Sequence, residues 1–145
     1  MALPDPVPGL VIAYSYLWRY ERDEGHVEGR KVRPAAIVVT RVSGEEGETD
    51  VYVVPITHSK PPDPNVGVEI PPQVRKRLRL DEEPCWAIVN EGNRFIWPGF
   101  DLGQAPVKPP SIVYGVLPPR LFAKIRDRLA HFAEARQLVV VPRDN

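Results

Sequence analysis

Eighteen prolines punctuate a chain of 145 residues, more than twice the usual share. Each fixes its own φ, lacks an N–H donor and pushes the preceding residue into extended geometry. Such a chain folds into short elements joined by fixed turns, with little room for long helices. Length suits one domain over residues 1–145 with a real core, and 43% apolar with 26% charged residues is the balance of a soluble globular protein. The formal net charge is zero, so any case for a nucleic-acid partner rests on local patches. Residues 1–8 form a proline-rich arm without the basic start and apolar run of a signal peptide, and no apolar run reaches the length of a membrane span. A single cysteine, Cys85, excludes an internal disulfide and fits a reducing cytoplasm.

Along the chain, Leu10 to Trp18 alternates, with Leu10, Ile12, Tyr14, Tyr16 and Trp18 on one face of a predicted strand. Arg19 to Lys31 is densely charged, hinged by Gly25 and Gly29, and reads as a long mobile loop. Strands are predicted over Ala35–Arg41 and Val51–Thr57, joined in a hairpin by the polar turn from Ser43 to Asp50. A loop at 60–65 precedes a short strand, Val66 to Ile70. A brief helix opens at Pro71-Pro72, with Val74 and Leu78 facing inward and Arg75, Lys76, Arg77 and Arg79 facing out. Further strands are predicted over Trp86–Asn90, Arg94–Trp97 and Ile112–Leu117, with 100–110 irregular. Pro118-Pro119 starts a helix reaching about residue 134, with the stripe Leu121, Phe122, Ile125, Leu129 and Phe132. Residues 137–145 form a tail in which Leu138 to Val141 reads equally as an added strand or an interface segment. Many short strands and one closing helix predict a mainly β fold, a small antiparallel barrel or a strongly bent sheet.

Three polar clusters sit at predicted strand ends. In the first, Arg30, Lys31 and Arg33 lead through Pro34 into an apolar strand. Proline stiffens the base from which Arg33 projects, which suits a fixed positive charge for phosphate, although an ordinary surface arginine satisfies the same pattern. The second is Thr57-His58-Ser59-Lys60, whose hydroxyls, imidazole and ammonium can bind a phosphate and move a proton, or simply make a polar turn. The third, Asn90 to Arg94, is read as a turn that brings Glu91 and Arg94 together, as site residues or as a structural ion pair. Trp18, Tyr20, Phe95 and Trp97 flank these clusters as base-stacking surfaces, core or dimer interface. His26, His58 and His131 lack metal-site spacing and Cys85 reads as small core filling, so neither metal nor cofactor is expected. No phosphate-binding glycine loop and no Gly-x-Ser-x-Gly elbow is present.

Taken in order, these clusters resemble the PemK/MazF family of toxins from toxin–antitoxin pairs. The resemblance lies in Gly29-(x)3-Arg33-Pro34 before an apolar strand, Val54-Pro55-Ile56-Thr57, Glu91-(x)2-Arg94-Phe95-Ile96, and Tyr114-Gly115-Val116-Leu117-Pro118 before a helix, spanning residues 8–132. It implies an SH3-like barrel with a C-terminal helix, a two-fold homodimer and a cognate antitoxin. It further implies a metal-independent endoribonuclease that cuts single-stranded RNA at short sequences. Arg33 and Thr57 match the family's catalytic arginine and threonine, Glu91 and Arg94 its later acidic and basic positions, and residues 19–31 its mobile loop. Arg30, Lys31 and Val32 intervene where the family often has Gly-x-Arg-Pro, His58 follows Thr57 where another polar residue is common, Val89-Asn90 stands where some relatives have a further arginine, and residues 98–111 and the tail are additions.

In metal-free RNA cleavage the 2′-OH attacks phosphorus and leaves a 2′,3′-cyclic phosphate and a 5′-OH. Arg33 is expected to stabilise the phosphorane charge and Thr57 to fix a phosphate oxygen, with His58 or Glu91 as general base. Strand alternation can turn His58 away from Thr57, in which case the base is Glu91. Arg30, Lys31, Ser59, Lys60, Arg94, Trp18 and Tyr20 are the expected RNA contacts. A non-catalytic RNA- or protein-binding member of the same fold, and a topoisomerase-targeting toxin acting by protein contact, are the alternatives.

Overall fold

The computed structural model describes residues 3–43 and 46–143. In chain order the elements are β1 (Leu10–Tyr14), α1 (Arg19–Asp23), β2 (Arg33–Ser43), β3 (Glu48–Thr57), β4 (Gly67–Glu69), α2 (Pro72–Arg77), β5 (Trp86–Ile88), β6 (Glu91–Ile96), β7 (Val113–Val116), α3 (Pro119–Glu134) and β8 (Val139–Pro142). The fold is mainly antiparallel β with a C-terminal helix, as the proline spacing and alternation predict. No helix among the described residues is long and apolar enough to cross a membrane.

The sheet runs β4-β5-β3-β2-β1-β7, and β6 pairs with both β3 and β8. β3 is the branch point. One of its edges carries β2 along the strand, from Ala35 opposite Pro55 to Ser43 opposite Glu48. The other edge is shared, Asp50–Val53 pairing with β6 and Ile56–Thr57 with β5. The division brackets Pro55, which has no N–H to give to a ladder. The hairpin turn predicted over 43–50 includes Gly44 and Glu45, which lie outside the described residues.

The predicted barrel is not closed by strand pairing, because the path ends at β4 and β7. Helix α2 follows β4 and reaches β7 instead. A side chain at Gly115 would meet Leu78 at 2.8 Å, and Arg79 donates to the Tyr114 carbonyl at 3.0 Å. A side-chain contact and one hydrogen bond thus stand where ladder bonds would complete a barrel.

Alternate residues of β1, β2 and β3 feed two cores. Leu10, Ile12, Tyr14, Ala35, Ile37, Val51 and Val53 join Tyr16 and Phe95 on one face. Val11, Ala13, Ala36, Val38, Val54 and Ile56 lie on the other, with Ile125, Leu129 and Phe132 of α3. The predicted helical stripe is therefore the buried one, and Leu121 and Phe122 pack at its margin.

Several elements differ from expectation. The first strand ends at Tyr14, not Trp18, because the Asn93 side chain takes both backbone groups of Leu17, each at 2.8 Å. Those groups are lost to the ladder, yet Tyr16 and Trp18 still face the predicted core. The loop predicted at 19–31 begins with helix α1, where the Glu21 carboxylate caps the Trp18 N–H at 3.1 Å. Residues 90–94 are no turn: Glu91 to Arg94 lie within β6, and an odd separation on a strand points their side chains to opposite faces. Within the tail, Val139–Pro142 form strand β8, parallel to β6.

Arg143 anchors that tail. Its side chain is only 2% exposed, with Nη2 3.1 Å from Asp101 Oδ1. Its Nη1 donates to the Ser15 carbonyl at 2.7 Å and to Asn93 Oδ1 at 3.0 Å. Asn93, itself fully buried, thus ties the Leu17 segment after β1, β6 and the C-terminal segment together. Removing one partner of a buried ion pair leaves an uncompensated charge. Arg143→Ala is therefore expected to lower unfolding stability by about 3–5 kcal/mol, read by denaturant titration; a loss within ~0.5 kcal/mol, typical of surface positions, would contradict this anchoring role.

Candidate active site

At the β2–β3 end of the sheet the chain forms a cleft of about 520 Å3. Its polar walls are Lys31, Arg33, Thr57, His58, Ser59, Arg79 and Asp81, over a floor that includes Ile56, Leu80, Cys85 and Tyr114. Arg33 opens β2 beside Pro34 and lies opposite Tyr14 of β1. Carried two residues beyond the Ala35–Pro55 pair, the β2–β3 register sets Arg33 opposite Thr57. Directly opposed residues share a face, so these two functional types are brought together by hairpin register.

The Arg33 guanidinium lies 5.1 Å from the Trp18 ring centroid, within cation–π range. Its buried Nε has no hydrogen-bond partner. Burial lowers the Arg33 pKa, opposed chiefly by the charge of Glu21. Thr57 Oγ1 accepts the Ser59 N–H at 3.2 Å, which orients the hydroxyl so that its own hydrogen can point to a ligand.

His58 Nδ1 lies 2.9 Å from the Pro84 carbonyl oxygen and Nε2 lies 2.8 Å from Asp81 Oδ2. Both neighbours are acceptors, so the ring satisfies them together only as imidazolium. The Pro84 carbonyl raises the His58 pKa most; burial opposes it, and Asp81 and Glu83 add to the rise. A doubly donating ring has no lone pair for a proton, so in this arrangement His58 can give a proton but cannot take one.

Arg79 and Asp81 are cleft residues that sequence reasoning missed. Helix α2 ends with Leu80 N–H bonded to the Arg75 carbonyl and Arg79 N–H to the Lys76 carbonyl, a Schellman cap. That cap wants glycine in the left-handed position, but Arg79 occupies it at φ 59°. Sequence periodicity assigned Arg79 to the outer helical face, and only the reversal at the cap turns it into the cleft. With His58 protonated, four cationic groups face one carboxylate there, in a chain of zero net charge.

The other expected site residues fall elsewhere. Glu91 is not part of the cleft lining; it accepts the Tyr16 hydroxyl and the Arg19 N–H, each at 3.0 Å. Trp18 and Tyr20 stack at 6.4 Å, with Tyr20 53% exposed, as an aromatic flank next to Arg33. Arg30 is paired with Glu21 at 3.4 Å and Glu24 at 3.5 Å, which offsets its charge. Lys60 and Arg94 are exposed and outside the cleft lining. Burial pushes the Cys85 thiol up to about 11, so it stays protonated on the cleft floor. His58, Asp81 and Glu83 place their ligand atoms within 4.8 Å of one another, a grouping that histidine spacing alone does not reveal.

No protein-family model matches this chain, and a search of curated proteins finds no match.

The raised His58 pKa has a definite sign for stability. The folded state binds this proton more tightly than the unfolded chain, so the contribution is complete below pH 6.5 and fades as pH rises through the raised pKa. A proton NMR titration should place the His58 midpoint above 6.5, and Asp81→Asn should lower it. A midpoint at or below 6.5 in the wild type would refute the doubly donating ring.

Proposed function

We propose that this chain is a metal-independent endoribonuclease toxin of the PemK/MazF type, with the Arg33–Thr57 cleft as its active site. The observation that carries the reading is the convergence of Arg33 and Thr57, 24 positions apart, with Lys31 and Arg79 in one cleft. Cations and a hydroxyl around an apolar floor suit a phosphodiester with its sugar and base. The aromatic pair Trp18 and Tyr20 extends the surface for a neighbouring unpaired base. The family resemblance adds a homodimer and a cognate antitoxin whose disordered segment folds over the same cleft.

The chemistry follows from the groups present. Arg33 and Thr57 hold the non-bridging phosphate oxygens. Asp81 accepts the 2′-OH proton as O2′ attacks phosphorus, Arg33 and Arg79 stabilise the charge that builds there, and His58 Nε2–H, released from Asp81 as that carboxylate is protonated, gives its proton to the departing O5′. The products are a 2′,3′-cyclic phosphate and a 5′-OH. Protonated Asp81 and neutral His58 are then hydrogen-bond neighbours, and return of the proton between them restores the starting state. This assigns the base to Asp81, because His58 already holds two protons and Glu91 is engaged by Tyr16 and Arg19. A non-catalytic RNA binder is the second reading, favoured by the tie of Glu91 to structural partners.

The test is incubation with a long single-stranded RNA in EDTA, with 5′-end mapping of the fragments. Wild-type cleavage should persist without metal and fall about 10²–10³-fold in Arg33→Ala. RNA binding with no cleavage by either protein would establish the second reading; neither binding nor cleavage would remove both. Arg79→Gly should separate function from fold. Relief of the left-handed backbone is worth ~1–2 kcal/mol and offsets the lost bond to the Tyr114 carbonyl, about 1 kcal/mol. Stability should stay within about 1 kcal/mol of wild type while RNA affinity drops. Unchanged affinity in this variant would take Arg79 out of the site.

A further inference from the structure

The contact between His58 and Asp81 is a pair of acceptors as well as an ion pair. Pro84 offers His58 Nδ1 only a carbonyl oxygen, at 2.9 Å, so the proton of a neutral ring resides there. The Nε2 lone pair then points at Asp81 Oδ2, 2.8 Å away. Two lone-pair atoms at that distance repel unless a cation lies between them. A proton is one such cation, and a metal ion is another. An imidazole that donates its other N–H to a backbone carbonyl has the tautomer and orientation fixed for a metal. Glu83 supplies a third ligand atom within 4.8 Å of the others; its Oε2 lies 3.9 Å from Nδ1, and its side chain, 75% exposed, reaches the Nε2 side by rotation.

We propose that His58 Nε2, Asp81 and Glu83 bind a divalent transition-metal ion of the zinc class. One imidazole nitrogen and two carboxylate oxygens suit such an ion better than magnesium, which prefers oxygen alone. Two carboxylates also neutralise its charge. The groups lie at the solvent-facing rim, so the ion has an open path and open positions for water. Because it occupies the place of the proton shared by His58 and Asp81, its binding blocks the acid–base pair and inhibits cleavage. The inhibition rests on the ribonuclease reading; the site itself does not.

The experiment is a calorimetric titration of the EDTA-stripped, dialysed full chain with zinc chloride alone at pH 7.5, without RNA. Circular dichroism confirms that each variant is folded. The wild type and His26→Ala should bind one zinc ion per chain, and His58→Ala and Asp81→Asn should bind about tenfold more weakly or worse. Absence of zinc uptake by folded wild type would overturn the proposal and leave the proton as the occupant. Equal uptake in His58→Ala and Asp81→Asn, or a loss confined to His26→Ala, would also overturn it. A separate cleavage assay should show inhibition by zinc in the wild type and relief in Glu83→Gln. A protein that takes up zinc but never cleaves RNA would sink the ribonuclease reading and leave the metal site standing.

Discussion

Burial on both faces of β1, of Ala35–Val38 in β2 and of Val51–Ile56 in β3 is the constraint from which the rest of the molecule follows. In most antiparallel sheets one face is wet and tolerates errors of pairing. Here a one-residue slip would exchange Ala35 and Ile37 with Ala36 and Val38 between two differently shaped cores. Register is accordingly specified by packing on both sides at once. The same register sets Arg33 opposite Thr57, so the candidate site inherits its geometry from the core.

Around this frame, short elements are secured by side chains that take over backbone duties. Asn93 occupies the amide and carbonyl of Leu17, Glu21 caps α1, and Arg143 fills the space between the Ser15 carbonyl, Asn93 and Asp101. Buried amides and charges of this kind are costly if unpaired, so each fixes a unique arrangement where apolar packing alone would not. The gap between β4 and β7 is handled in the same way, through Leu78 and Arg79 of the α2 cap. A proline-rich chain has few ladder bonds to spare, and its side chains supply the difference.

Electrostatically, the molecule separates its charges locally while its sum is zero. The charged segment after β1 is largely self-neutralised, since Glu21 and Glu24 hold Arg30. Around the cleft, cations outnumber carboxylates. Tyr16 hydrogen-bonds Glu91 and lies close to Arg33, linking the carboxylate that sequence reading placed in the site to the site's edge. Glu91 thus reads as support for the aromatic flank, consistent with its position within a paired strand.

The amino-acid order by itself determined the strand-rich class, the alternating face of Leu10 to Trp18, the α3 stripe, and the placement of Arg33, Thr57 and His58 at strand ends. These are local properties: periodicity of two or 3.6, and the dihedral preferences of proline, act within a few residues. It also suggested that Glu91 and Arg94 meet, because a Gly-Asn pair looks like a turn until β3 and β8 pair with it on either side. Tertiary structure alone decided that the strand predicted from Arg94 begins at Glu91, that Val139–Pro142 pair as an edge strand on β6, and that Arg79 swings from a helix face into the cleft. It likewise set two acceptors, the Pro84 carbonyl and Asp81, against the two nitrogens of His58, so that the charged ring donates to both. The protonation of an imidazole depends on atoms 23 and 26 positions away in the chain, and no local pattern encodes which acceptors folding will bring to it.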